Sequence, residues 1–163
     1  MKLLYIILSV VTSYLLGSIN SAIIISRALY KEDIRTHGSG NAGLTNFMRN
    51  FGPAKGIWVL IIDIAKAVAA CLLGKLLLAP MGYAMEGLMV GAVAVSLGHD
   101  FPALMGFHGG KGILIAGVCM LAIDPVVFLC EFVLFVLLVA ITRYISVGSI
   151  ACCFGYPLFT LIW

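Results

Sequence analysis

Gly38-Ser39-Gly40-Asn41-Ala42-Gly43-Leu44-Thr45-Asn46-Phe47-Met48-Arg49 is a glycine- and amide-rich polar run inside a strongly apolar chain. Such glycines leave backbone N–H groups open to an anion, and an arginine follows at helical distance. The chemistry suggested is capture of a phosphate-sized group at a membrane surface. If residues 41–49 are helical, Asn41, Thr45 and Asn46 share a face, and Asn46 shares one with Arg49. A second polar run extends from Gly98-His99-Asp100 to Gly109-Gly110-Lys111-Gly112. There, Gly109, Gly110 and Gly112 offer N–H groups at a helix entrance and Lys111 adds an ammonium. His99 stands at the end of a span beside this loop, suited to a direct role or to a structural hydrogen bond.

Other readings of these glycines fail on context. Gly38 to Gly43 formally matches G-x-G-x-x-G, and Asp63 lies about 20 residues on. But no strand precedes the run and no βαβ unit is present. Gly109 to Gly112 lacks the glycine spacing and the Ser/Thr of a phosphate-binding P-loop. No G-x-S-x-G elbow surrounds Ser39, which argues against a covalent serine intermediate. No histidine is followed five residues later by aspartate: those positions hold Ala42, Leu104 and Ile113.

The elements that position these loops are membrane helices. The 163 residues are 63% hydrophobic and 10% charged, with a mean hydropathy of +1.15. Soluble domains are about a quarter charged. Long, unalternating apolar runs select helices over a barrel. The expectation is an all-α polytopic bundle of about six spans in a single domain, residues 1–163. The spans are Leu3 to Ala28, Gly56 to Leu78, Met85 to Leu97, the short Gly112 to Ile123, Val126 to Ile141, and one from about Ile145. Asp124-Pro125 marks a helix stop and restart. Lys2 and the run Leu3 to Leu16 resemble a signal peptide. The run continues past Gly17-Ser18, which favours an uncleaved first helix.

Lys and Arg cluster on one side: Arg27, Lys31, Arg35, Arg49 and Lys55 about the first loop, Lys111 in the second and Arg143 after the fifth span. The turns at Ala79 to Met81 and Asp124-Pro125 carry none. Both glycine-rich loops are therefore expected in the cytoplasm and the N-terminus outside. The net charge of +3 follows from this bias and does not call for nucleic acid. The five cysteines, Cys71, Cys119, Cys130, Cys152 and Cys153, lie in apolar runs without metal-ligand spacing and read as filler. Asp63 and Lys66 are three apart on one face of the second span, placed to pair or to turn Lys66 toward the loops. Lys75 and Glu86 read as snorkelling side chains, and Glu131 has no evident partner.

At Gly17-Ser18-Ile19, Gly38 to Arg49, Asp63-Ile64-Ala65-Lys66 and Gly98 to Gly112, the sequence resembles the bacterial acyl-phosphate:glycerol-3-phosphate acyltransferases of the PlsY type. The resemblance implies a seven-helix inner-membrane enzyme with a cytoplasmic site and no cofactor. Its partners would be acyl phosphate, glycerol 3-phosphate and membrane lipid; its products, lysophosphatidic acid and phosphate. Ser39, Arg49, His99 and Lys111 match the family's active-site positions, and Asn41, Asn46 and the flanking glycines its binding loop. The family pattern also differs in places. Ala67, His108 and Ile113-Leu114-Ile115 stand where Gly, Lys and Val-Ala-Thr are usual. A third motif, expected near the family's C-terminus, is absent up to Trp163.

Acyl phosphate carries a good leaving group, so the chemistry needs neutralised charge and a placed hydroxyl more than acid help. Arg49 suits bidentate phosphate binding and Lys111 a point contact. Ser39 suits a hydrogen bond to phosphate or to the developing oxyanion. The hydroxyl proton can pass to His99 or to the leaving oxygens of the acyl phosphate. Two other readings fit the cationic loops: a small transporter of an organic phosphate, and an inactive membrane paralogue. A transporter would show paired broken helices in two related halves, and the sequence has no such repeat.

Overall fold

The computed structural model describes residues 1–162; Trp163, the end of the sixth predicted span, lies outside them. The described residues are helical and contain no strand. The helices are α1 (Lys2–Ser18), α2 (Ser21–Tyr30), α3 (Leu44–Phe51), α4 (Pro53–Leu78), α5 (Ala84–Asp100), α6 (Ile113–Ile123), α7 (Pro125–Thr142) and α8 (Ile145–Ile162). Five stretches among them are long and apolar enough to cross a membrane: 2–30, 53–81, 84–105, 125–142 and 145–162. The fourth predicted span is α6. At 11 residues it is roughly 16 Å long, about half a hydrocarbon core. The chain divides into two compact units, Met1–Cys119 and a second beginning at Met120.

In the first unit α1, α4 and α5 pack on one another through small residues. Ser9, Ser13 and Gly17 recur every fourth residue along α1, and all three are buried. A Cβ on Gly17 would overlap the Val95 carbonyl, and one on Gly98 would overlap that of Tyr14. Gly74 and Gly87 stand in the same relation between α4 and α5. Lipid offers apolar side chains nearly the contact that protein does, so close backbone approach drives this packing. Ser13 Oγ adds a hydrogen bond to the Ala70 carbonyl at 3.4 Å. Cys71 and Cys119 are buried with sulfurs 3.7 Å apart, filling the seam between α4 and α6.

The first predicted span is broken. The helix is interrupted at Ile19-Asn20, where both residues are extended and α2 starts at Ser21. Asn20 caps α2, its Oδ1 accepting from the Ile23 N–H at 3.0 Å. A side-chain oxygen at this position satisfies a donor that the new helix leaves free. Lys2 at the far end of α1 lies 3.5 Å from the Tyr83 ring centre, before α5.

In the second unit, Asp124 caps α7 through two N–H bonds with Pro125 in the first turn, as the stop-and-restart reading requires. Glu131 is buried against Gly155 of α8, and neither carboxyl oxygen has a partner among the described residues.

Candidate active site

The polar segment between α2 and α4, residues 31–52, folds as a short 3-10 turn (Ile34–Thr36), the glycine run, and α3. Helix α3 sorts the candidates in a way that the shared-face reading missed. The helix starts at Leu44, so Asn41 lies before it. Asn46 and Phe47 turn inward, while Thr45 and Arg49, four apart, are exposed on the opposite side. Phe47 is fully buried beside Ile23, Ile34, Ala42 and Val59, which anchors α3 to α2 and α4.

Asn46 is the residue that shapes the loop. Its Nδ2 donates to the carbonyls of His37 and Asn41, both at 3.0 Å. Its Oδ1 accepts from the Ser39 N–H at 3.1 Å and from Asn50 Nδ2 at 3.0 Å. The amide is thereby spent on the loop's own backbone, a positioning role. Ser39, Gly38 and Gly40 are exposed on the loop so formed, with both glycines at positive φ. Gly43 is buried at the N-cap of α3, and its carbonyl accepts from Phe47.

The second loop is joined to the first. Ala42 N–H donates to the Gly109 carbonyl at 3.3 Å, and Ala42 O accepts from Asn20 Nδ2 at 3.0 Å. Arg35 adds a second tie, its Nη1 donating to the carbonyls of Met105 (2.7 Å) and His108 (3.2 Å). His99 and Asp100 belong to the last turn of α5. Gly109 and Gly110 fold back onto them through N–H bonds to the Asp100 and His99 carbonyls. A Cβ on Gly110 would overlap His99 Nε2, and one on Gly112 would sit 2.7 Å from Asp100 Oδ1.

Beneath the loops lies a buried polar network. Lys66 Nζ is 3.0 Å from Asp63 Oδ1 and 3.0 Å from His99 Nδ1. It donates to the carbonyls of Ile19 (2.9 Å) and Gly17 (3.2 Å). Asp63 Oδ1 also accepts from Ser21 Oγ at 2.8 Å. The two sequence readings of Lys66, pairing with Asp63 and turning toward the loops, hold together. The network exists because the α1–α2 break frees carbonyls that, in a membrane, need a donor. An ammonium only donates, so His99 Nδ1 accepts from Lys66 and the ring proton sits on Nε2. That nitrogen faces Gly110.

Arg49, Lys111 and Thr45 are exposed, and among the described residues neither cation has an ion-pair partner. His108 is exposed, its Nδ1 2.7 Å from the Gly106 carbonyl. Reading the sequence missed Asn20, Ser21, Arg35, Asn50 and Asp100. The Asn-Ser pair interrupting an apolar run was a legible cap signal for the first two. Arg35, counted only as a topology charge, gave none.

Arg35 is itself fixed by Asp33, which accepts from its Nε at 3.0 Å and Nη2 at 2.8 Å, and from Arg27 at 2.7 Å. The Arg35 guanidinium foremost, with Arg27, holds the Asp33 carboxyl well below the usual carboxylate range against the opposing effect of burial. A depressed carboxylate stabilises the fold above its unfolded value of about 4 and loses that contribution as pH falls toward its folded value. Asp33→Asn is therefore expected to melt lower than the native chain by a constant margin from pH 8 to 5. The margin narrows below about pH 4. Thermal unfolding of both proteins in mild detergent checks this.

The geometry joins two glycine-rich loops, two unpaired cations and a hydroxyl above a buried charged network, at one end of apolar helices. The family model described as glycerol-3-phosphate acyltransferase matches residues 7–163. A protein of that name from Clostridioides difficile (strain 630) is 40% identical over 161 residues, covering 97% of this chain and 78% of that protein. Another of that name, from Finegoldia magna, is 35% identical over 163 residues, covering 100% of this chain and 80% of its own length. The crystal structure of PlsY (YgiH), an integral membrane glycerol 3-phosphate acyltransferase, in its glycerol 3-phosphate form, superposes with a TM-score of 0.83. It is 32% identical, and the match covers 96% of this chain and 76% of that one. The lysophosphatidic acid form gives a TM-score of 0.80 at 31% identity.

Proposed function

This chain belongs to the glycerol-3-phosphate acyltransferase family, and on that premise we propose that it transfers a fatty acyl group from acyl phosphate to the 1-hydroxyl of glycerol 3-phosphate. The observation that carries the site assignment is the backbone bond from Ala42 to Gly109. It places the two loops, which the sequence separates by some 60 residues, against each other. Arg49 takes one phosphate by its planar fork and Lys111 the other as a point charge. Ser39 hydrogen-bonds a phosphate or the developing oxyanion. Gly38, Gly40, Asn41, Gly43, Thr45, Gly109, Gly110 and Gly112 form the surrounding backbone cradle, with Asn46 holding its shape.

Of the two proton acceptors the sequence left open, the geometry favours the acyl phosphate. His99 Nδ1 already receives Lys66, and Nε2 carries the ring proton. The hydroxyl oxygen attacks the acyl carbon, the bond to the phosphate oxygen breaks, and the hydroxyl proton leaves on the released phosphate. His99 and Lys66 then position the second loop. An apolar groove of about 530 Å³, lined by Leu15, Leu16, Ile19, Leu73 and Leu104, opens beside the α1–α2 break and suits the acyl chain.

The reading includes a bacterial inner-membrane location, both loops cytoplasmic and the N-terminus outside, with the chain acting as one membrane domain. The loop cations support that orientation. The test is phosphate release from palmitoyl phosphate by the protein in lipid, with and without glycerol 3-phosphate and with palmitoyl-CoA as parallel donor. Release should require glycerol 3-phosphate, fail with palmitoyl-CoA, and fall by roughly 10- to 100-fold in kcat/KM for Arg49→Ala, the loss of a charge-assisted phosphate contact of about 1.5–3 kcal/mol. Absence of release from folded protein would overturn the proposal.

A further inference from the structure

A second groove lies between α2 and α4, lined by Ile24, Ala28 and Leu29 on one side and Trp58 and Ile62 on the other, with Lys55 at one end. It holds about 350 Å³ and shares no residue with the groove beside the α1–α2 break. We propose that it binds one anionic phospholipid, with an acyl chain along the groove and the phosphate on Lys55 and Lys31.

Lys55 and Trp58 are three residues apart in the first two turns of α4, where a crossing helix leaves the hydrocarbon. Indole and ammonium groups both favour that depth. Lys31, the residue after α2, has its Nζ 3.4 Å from the carbonyl of Ala28, which lines the groove, so a second ammonium lies beside it. The acids nearby are engaged elsewhere. Asp33 holds Arg27 and Arg35, Glu32 faces His37 at 2.9 Å, and Asp63 holds Lys66. Lys31 and Lys55 thus have no carboxylate partner among the described residues. Single snorkelling lysines are common. Here two ammoniums, an indole and an apolar groove long enough for part of a chain coincide.

A phosphate diester without its own cation matches two ammoniums better than a zwitterionic headgroup does. Occupancy also bears on the candidate active site. Ile25, which floors the groove, is 9% exposed and belongs to the buried cluster around Phe47, the neighbour of Asn46.

The chain has two tryptophans, so Trp163→Phe leaves Trp58 as the only indole. In phosphatidylcholine nanodiscs, Trp58 quenching is titrated with brominated phosphatidylglycerol and, separately, brominated phosphatidylcholine. Half-quenching should need roughly 25- to 30-fold less of the anionic lipid, the preference of two lysines near an anionic headgroup. Lys55→Ala combined with Lys31→Ala should bring the ratio to about one, while Lys55→Arg should keep it. Equal quenching of the parent by the two lipids would overturn the proposal, as would a preference that survives loss of both lysines. Loss of the preference on adding millimolar glycerol 3-phosphate would also overturn it, since the lysines would then serve a soluble phosphate. None of these readouts depends on acyl transfer.

Discussion

Gly110→Ala is expected to lower the turnover of acyl transfer by about 100-fold while leaving the protein folded. The added methyl would overlap His99 Nε2. An exposed imidazole would swing aside at little cost, but this one is 4% exposed and fixed from behind by Lys66 at 3.0 Å. The backbone must therefore yield. Gly110 is joined to the His99 carbonyl, and its neighbour Gly109 to the Asp100 carbonyl and to Ala42. A shift of the second loop thus moves Lys111 relative to the first. Displacements of about 1 Å in a positioned site cost on the order of 100-fold in rate. Steady-state kinetics with palmitoyl phosphate should show the loss mainly in kcat, with the melting temperature nearly kept. A kcat within about threefold of native would show that the ring, not the loop, gives way, and that His99 does not set the loop's position.

The sequence carried the helices and the two loops because each is announced by composition. Apolar runs of twenty residues have few foldings in lipid, and glycine clusters among them have few structural uses. What it concealed depends on long-range pairing. Asn46 looked like a ligand contact because its type and spacing suit one. Only the positions of the His37, Asn41 and Ser39 backbone groups show that its amide is used up locally. Arg35 has the same ambiguity in reverse: in the sequence it is one of the cations that orient the chain, and in the fold it ties together loops 70 residues apart. The break in the first span lay in plain view as Asn20-Ser21, yet the apolar residues on both sides read through it. Its meaning comes from Lys66, 46 residues later, whose ammonium meets the freed carbonyls.

Lys66→Met should destabilise the protein by about 3–5 kcal/mol, the usual effect of stripping one partner from a buried ion pair. Methionine fills the space of the lysine stem but leaves the Asp63 carboxylate without its cation. It also leaves the Gly17 and Ile19 carbonyls without a donor and His99 Nδ1 free to choose its tautomer. The double variant Asp63→Leu/Lys66→Met removes the orphaned charge together with its partner. It should recover part of the loss, giving a coupling energy of about 1–3 kcal/mol in a double-mutant cycle. Recovery stays incomplete because the two carbonyls still lack a donor and Ser21 loses its acceptor at 2.8 Å. Activity should not recover with stability, since neither variant fixes His99. Reversible unfolding in mixed micelles and acyl-transfer kinetics, measured on the native protein, both single variants and the double variant, separate the two effects. If stability and activity were restored together in the double variant, the network would serve only to fill the helix break. If stability returned without activity, orientation of His99 by Lys66 would be a second task, distinct from satisfying the broken helix.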